Sequence, residues 1–174
     1  MVNPYDSQDG FSQLASLGVC GARFAENGPT SLRSIQEQLV DLHDALPANW
    51  HIEFESTWTT AGLLAPLLAR MGRIFCLTPR NAKSDASDAA LQKVLWWLDM
   101  GNAYVKFTCA RMEQCRDQIY KQVCRSTPDR VVVGSGEPTP YVEALWMNED
   151  FISPEQADSN AQRLYPFFRA RQIH

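Results

Sequence analysis

The chain has 174 residues, of which 45% are hydrophobic, and it carries a net charge of −4. This length and composition suit one globular domain with a full core. The negative charge argues against a nucleic-acid-binding protein, which normally presents a basic stripe. No apolar run approaches the roughly 20 residues that span a bilayer. The first residues also lack the basic and apolar stretches of a signal peptide, so the sequence predicts a cytoplasmic protein without a membrane partner.

Strand-like and helix-like segments alternate along the chain. Strands are predicted where short stretches are apolar or alternate with period two, namely at 19–24, 50–55, 73–77, 103–107 and 130–133. Helices are predicted where apolar residues recur with helical spacing, namely at 6–17, 31–46, 57–71, 89–100 and 113–126, with two or three short ones within 138–174. This order favours an α/β fold with about five parallel strands and the helices outside the sheet.

Some details of these elements leave a choice open. Two helix starts carry adjacent candidates for the N-cap residue: Thr30 or Ser31, and Thr57, Thr59 or Thr60. Pro66 is expected to kink the third helix, and the polar stretch 78–88 is predicted to be a loop. A closed (β/α)₈ barrel typically needs about 250 residues. The sheet is therefore expected to be open, part of an incomplete barrel, or half of a shared one.

The stretch 131–140, with the sequence VVVGSGEPTP, is typical of a buried parallel strand that ends in a glycine-rich loop. In α/β folds, ligands bind in the loops at the carboxyl ends of strands. This loop lacks the Gly-Lys-Ser/Thr of a phosphate-binding loop and the dinucleotide fingerprint, which argues against a nucleotide site. Ser135 is not enclosed in a GxSxG turn, so a nucleophilic serine has little support.

Ionisable side chains gather near the predicted strands. His51, Glu53 and Glu55 share one face of a strand by their period-two spacing, and they could hold a divalent metal if that face is enclosed. If the barrel is incomplete, the same face would simply be solvated. Four cations lie at or just after strand ends: Arg23, Arg80, Lys106 and Arg111. They could bind carboxylates, or they could be ordinary surface charges.

The cysteines and the paired tryptophans give two further indications. The five cysteines form no CxxC pair, which argues against a zinc ribbon or a disulfide framework and favours buried thiols. Trp96 and Trp97 are adjacent on a predicted helix, so one of them must point away from the core.

Five segments, in sequence order, resemble the amidohydrolase-related family, in the branch that contains 2-pyrone-4,6-dicarboxylate hydrolases. They are LGVCGARF at 17–24 (similar to LGVxGxRF), WHIEF at 50–54 (WHVQLH), NAYVKF at 102–107 (GxVWVKLS), PDRVVVGS at 128–135 (PDRVLWGSDWPH) and NAQRLYPF at 160–167 (NPARLYGF). The resemblance implies that residues 1–174 form a single domain like a TIM barrel. That domain would lack the first strands of the barrel, including the one with the family's HxH metal motif.

Several catalytic positions of the resembled family hold other residues here. Glu55 stands where the family has a strand histidine, whereas Arg80 matches the arginine of its DHMGRP motif. In GSDWPH, the aspartate that activates water is replaced by Gly136 and the histidine by Thr139. Since glycine cannot accept a proton, Glu137 is the nearest substitute for the missing base.

The resemblance implies a metal-independent hydrolase that acts on a small carboxylated lactone or ester, similar to 2-pyrone-dicarboxylate, with activity that could be reduced. Its catalytic residues would be Glu137, Glu55 and His51. Its substrate-binding residues would be Arg80, Arg111, Arg23 and Ser135. No cofactor is expected, apart from the divalent metal that His51, Glu53 and Glu55 could hold.

Other readings remain open. The chain could be a non-catalytic remnant of the family (a pseudoenzyme) or a binding module, or it could be a truncated gene product. An open parallel sheet would also leave its first and last strands without a neighbour. A homo-oligomer that covers these edges is therefore expected.

Overall fold

Helices and strands alternate through the computed structural model, which describes residues 8–26, 30–80, 87–108, 118–134 and 152–165. The helices are α1 (Gln8–Ser16), α2 (Leu32–Ala45), α3 (Trp58–Arg70), α4 (Asp88–Asp99), α5 (Gln118–Ser126) and α6 (Pro154–Leu164). The strands are β1 (Gly21–Ala25), β2 (His51–Ser56), β3 (Phe75–Pro79), β4 (Ala103–Thr108) and β5 (Val131–Gly134), with a 3₁₀ turn at Pro128–Arg130 before the last.

The five strands form one parallel sheet in the order β1-β2-β3-β4-β5. Each strand therefore pairs with the strand that follows it in the chain, and a helix connects most neighbours. Among the described residues the sheet is open, with β1 at one edge and β5 at the other. The predicted α/β fold with about five parallel strands is confirmed.

One face of the sheet carries the main hydrophobic core. Among its fully buried strand residues are Ile52, Phe54, Phe75, Leu77 and Val105. They pack against the apolar stripes of α1 to α5, which lie on this side of the sheet. Burial of apolar area of this kind is the main favourable term in folding. The prediction for the tryptophan pair is confirmed as well, because Trp97 is buried in this core and Trp96 is 46% exposed.

Helix starts follow their local sequence. Ser31, Thr57, Ser87 and Ser153 each accept a hydrogen bond at their hydroxyl oxygen from the backbone N–H three residues on. These bonds satisfy N–H groups that the first turn of a helix leaves without a partner. Where the sequence left a choice, Ser31 caps α2 and Thr57 caps α3. Helix α3 continues through Pro66.

The third strand begins and ends two residues later than predicted. Thr78 and Pro79, which were expected in a loop, are its last residues. The hydrogen-bond ladder passes the proline because the N–H of Arg80 donates to the carbonyl of Ser56, at 2.9 Å. Arg73 was predicted to start the strand, but it lies before it and uses its side chain to bind the end of α2.

The last described helix lies beside β5 and ends on the other face of the sheet. In α6 the Asn160 side chain is fully buried, and its Nδ2 donates to the carbonyls of Pro128 and Val131, each at 2.7 Å. These bonds fix α6 to the start of β5. The end of the helix then lies against Cys76, Tyr104 and Val132 in a small apolar cluster that includes Leu164 and Tyr165.

None of the described helices is long and apolar enough to cross a membrane.

Candidate functional site

The face of the sheet opposite the main core has two levels. Near the amino-terminal ends of the strands lies the small apolar cluster beside α6, which we call the floor. Towards the carboxyl ends lies a group of polar side chains, which we call the charged cluster: Arg23, Glu53, Glu55, Thr78, Arg80 and Lys106. Period-two alternation explains why these positions share a face that differs from that of the core residues. The carboxyl ends of parallel strands are where α/β proteins bind ligands.

Glu55 is the more deeply buried of the two carboxylates, at 8% exposure. Its Oε2 accepts a hydrogen bond from the Arg23 guanidinium, and its Oε1 lies 3.8 Å from Nε of Arg80. The pKa of Arg23 is raised, mainly by its hydrogen bond to Glu55. Arg23 reaches the carboxylate from the edge strand and keeps a side chain that is 57% exposed. An exposed guanidinium at the rim can also bind a second carboxylate.

Glu53 joins the other half of the cluster. Its Oε2 lies 3.2 Å from Nζ of Lys106, and its Oε1 accepts a hydrogen bond from the Thr78 hydroxyl at 3.1 Å. The same Oε1 is 3.9 Å from Nε of Arg23. Glu53 therefore connects β1, β3 and β4 from its place on β2. The pairing of Lys106 with Glu53 spans 53 positions in the sequence, so no local pattern indicates it.

Two glycines make room for side chains that lie across neighbouring strands. A Cβ at Gly134 would lie 2.7 Å from Cε of Lys106, and a Cβ at Gly21 would lie 2.4 Å from Cε1 of His51. Real Cβ atoms essentially never make contacts this short, so a larger residue at either glycine would force its neighbour to shift. Gly134 thus lets Lys106 lie against the end of β5.

His51 lies on the floor rather than in the charged cluster. Its ring is 8% exposed and meets the Tyr165 ring edge-on, with the centroids 5.1 Å apart. Burial lowers the pKa of His51, which keeps the imidazole neutral at pH 7. Burial likewise raises the pKa of the Cys76 thiol. Cys76 is therefore a protonated, unreactive group of the floor.

The structure brings together some of the predicted site residues. Arg23, Glu55 and Arg80 meet in the charged cluster, and His51 lies below them on the same strand as Glu55. Three predicted residues lie outside the described residues: Arg111, Ser135 and Glu137. The sequence reasoning did not assign Thr78, which was expected in a loop, and it did not pair Lys106 with Glu53. Strand alternation on β3 and β4 is the signal that would have placed both on this face.

The carboxylates of the charged cluster face cations and a hydroxyl. Among the residues that the structure describes, no group of three or more His, Cys, Asp or Glu side chains is arranged to hold a metal ion. A divalent metal at His51, Glu53 and Glu55 stays a prediction of the sequence. With His51 neutral, the described cluster has three cations and two carboxylates, which leaves one net positive charge. Such a site attracts an anion.

No protein-family model matches the chain, and no curated protein matches it significantly. Solved structures do share its fold. A candidate 2-pyrone-4,6-dicarboxylic acid hydrolase from Pseudomonas putida has a TM-score of 0.65 and 18% identity, over 96% of this chain and 70% of that one. A probable 2-pyrone-4,6-dicarboxylic acid hydrolase from Acinetobacter baumannii, with citric acid bound, has a TM-score of 0.59 and 17% identity, over 99% and 66%.

An apo structure of an Agrobacterium tumefaciens protein is similar, with a TM-score of 0.59 and 14% identity, over 95% of this chain and 67% of that one. At these identities the likeness shows the fold alone. The chain thus has a TIM-barrel-like α/β fold, and proteins described as 2-pyrone-dicarboxylate hydrolases are among its structural neighbours. It spans between 66% and 70% of the length of the three structures.

Proposed function

We propose that this chain is a hydrolase of the amidohydrolase-related type that opens a lactone or ester bond in a small carboxylated molecule. The observation that carries the proposal is the charged cluster, in which three cations meet at the carboxyl ends of neighbouring parallel strands. The fold and its neighbours support a hydrolase-like scaffold. The bound citric acid in one neighbour supports, by analogy only, a carboxylated ligand.

The binding step uses the two arginines around Glu55. Arg23 and Arg80 both lie within 4 Å of this carboxylate or bond it directly. A substrate carboxylate would replace part of these contacts, because guanidinium groups bind carboxylates through paired N–H donors. Arg111 and Ser135, from the loops after β4 and β5, are proposed to complete the binding site.

The hydrolytic step needs a base that takes a proton from water. We assign this role to Glu55 or to Glu137. A substrate carboxylate that engages Arg23 would weaken its hold on Glu55, and the less stabilised carboxylate would be a better base. The water oxygen attacks the carbonyl carbon, the ring or ester C–O bond breaks, and the alkoxide leaving group takes up a proton. This is the proton that the glutamate took from water, and neutral His51, lower on the same strand, is the proposed relay, because one ring nitrogen can accept a proton while the other donates one.

A turnover assay tests the two bases. Purified protein is incubated with a panel of carboxylated pyrones and lactones, with and without a chelator, and ring opening is followed by absorbance. Activity is expected to survive the chelator. It should fall at least about 100-fold in Glu55→Gln or in Glu137→Gln, the usual effect of losing a general base. Glu37→Gln, at an exposed pair with Arg33 on α2, serves as the matched control. Unchanged rates in both active-site variants would remove the assignment.

A second candidate function is a non-catalytic binding module of the same fold. It is favoured by the ion pairs of Glu53 and Glu55, since both carboxylates already have cationic partners. The replacement of the family aspartate by Gly136 agrees with this alternative. A thermal-shift screen of the same carboxylates separates the two candidates. Stabilisation by ligands that are never turned over supports the binding module, and turnover excludes it.

A further inference from the structure

We propose that Glu53 limits the charge selectivity of this site, so that the advantage of ligands with two or three carboxylates over ligands with one is smaller than the cations alone would give. The inference rests on the proposed function, because it takes the charged cluster as a binding site for carboxylates. It adds a specificity-determining residue, Glu53, that acts through Lys106 and Arg23 rather than on the reacting atoms.

The geometry places Glu53 between two cations. One of its oxygens is 3.2 Å from the Lys106 ammonium, and the other is 3.9 Å from the Arg23 guanidinium. The side chains of Glu53 and Lys106 are only 15% and 24% exposed, so solvent screens this pair less than a surface pair. Gly134 leaves room for the lysine stem, which lets the ammonium lie beside Glu53. Glu53 therefore neutralises Lys106 at short range.

The other charged or titratable groups near this face, among the described residues, do not change the net charge of the charged cluster. His51 is neutral at pH 7 because burial lowers its pKa. The Glu26 carboxylate accepts a hydrogen bond from Ser56, whose position on β2 alternates to the helix side of the sheet. Arg130 pairs with Asp129 at 3.4 Å, near the amino-terminal end of β5. Three cations and two carboxylates remain among the described residues, which leaves a single net positive charge.

Removal of the Glu53 charge would double that net charge. At separations of about 6 to 7 Å and an effective dielectric constant of about 20, one added unit charge changes the affinity for each ligand charge by at least about tenfold. A ligand with two carboxylates would gain this factor about twice, whereas a ligand with one would gain it once. The ratio of the two affinities is therefore the diagnostic quantity.

Isothermal titration calorimetry with benzoate and isophthalate tests this inference, because the two probes share a ring and differ by one carboxylate. The ratio of the two Kd values in the wild-type chain is the reference. Glu53→Gln should lower the Kd for isophthalate about tenfold more than the Kd for benzoate. Lys106→Met should move the ratio in the opposite direction. The double variant, Glu53→Gln with Lys106→Met, keeps one net positive charge, so it should restore the wild-type ratio.

Glu37→Gln is the control for a change of net charge away from the site, and it should leave the ratio unchanged. An unchanged ratio in a folded Glu53→Gln protein, or a double variant that fails to restore the wild-type ratio, overturns the inference while carboxylate binding stands. If Glu53→Gln does not fold, the opposite shift in Lys106→Met decides the question. If neither probe binds any variant, the inference falls together with the proposed function.

Discussion

Cross-strand side chains on the inner face depend on glycines that have no room for a Cβ. Gly21 lies under the ring of His51, and Gly134 lies under the stem of Lys106. Each glycine is at the end of an edge strand that a larger residue would suit better by β-propensity alone. Their value is that a long side chain from the next strand can lie flat over them.

Gly21→Ala is expected to destabilise the protein by about 1–3 kcal/mol, the usual range for an overpacked site. The added Cβ would lie within 2.4–2.7 Å of three ring atoms of His51. Urea unfolding measures the effect. In a His51→Ala background the same substitution should cost much less, because the ring is gone. Equal costs in both backgrounds would show that the ring contact is not the cause.

The buried imidazole predicts a dependence of stability on pH. Burial lowers the pKa of His51 below its ordinary value of 6.5, so the unfolded chain binds more protons than the folded one between the two pKa values. The contribution of His51 to stability is therefore full above about pH 6.5 and is lost as the pH falls through the lower, folded-state pKa. Urea unfolding from pH 7.5 to pH 5 should show this decline.

His51→Gln is the variant that tests the assignment, and it should flatten that part of the profile. His174→Gln, at the end of the chain, should not. A profile that keeps its slope in His51→Gln would assign the effect to other groups.

Residue-level chemistry was only partly predictable from the sequence. His51, Glu53 and Glu55 could be placed on one face because strand alternation is a local property. Their partners could not be found, since Glu53 meets Lys106, and Glu55 meets Arg23 and Arg80, only after distant strands have paired in a specific register.

At the scale of elements, a single arginine holds the end of α2 against the start of β3. Arg73 is 5% exposed, and its guanidinium donates to the carbonyls of His43, Leu46, Pro47 and Trp50 at 2.6–3.1 Å. Its Nε donates to Nδ1 of His43 at 3.0 Å, so all five N–H groups of the side chain have partners. The carbonyls at the end of a helix have no partner within the helix, and here the side chain supplies one.

Arg73→Met is expected to reduce the free energy of unfolding by at least about 2 kcal/mol, because buried carbonyl groups lose their donors. Arg70→Met is the control, since Arg70 is exposed on α3 and donates to the carbonyl of Pro66 in its own helix. Urea unfolding of both variants gives the comparison. Similar losses for Arg70→Met and Arg73→Met would contradict a special role for the buried guanidinium.

The same arginine explains an error in the predicted boundaries. An apolar stretch that begins with a charged residue is compatible with a strand from 73, and a proline normally ends one. The third strand begins after Arg73 because this residue binds carbonyls that lie 23 to 30 positions earlier in the chain. No local sequence pattern reveals these contacts. The same contact leaves His43 half-buried, because its Nδ1 accepts a hydrogen bond from Arg73.

At the scale of the whole molecule, the order of the elements was predictable because each strand and helix carries its own periodic signal. These periodic signals do not show whether the sheet closes into a barrel. Within the described ranges, β1 and β5 each pair with one strand only. Edge strands of this kind present unpaired N–H and carbonyl groups to a second chain.

Association through these edges stays a prediction. Size exclusion with light scattering should give a mass that is a multiple of 19.6 kDa at micromolar concentration. Proline substitutions in β1 that remove an outward N–H, such as Ala25→Pro, should lower that mass if the edge forms the contact. A stable mass of one chain in the unsubstituted protein would contradict the prediction.

Leu164 and Tyr165, at the end of α6, close the amino-terminal end of the inner face. Under the proposed function, a substrate and its ring-opened product would both use the opposite end of the described face. Hydrolysis of a carboxylated lactone adds a carboxylate, so the product would keep the group that the arginines are proposed to bind. Product inhibition that competes with substrate is the expected kinetic consequence of this shared passage.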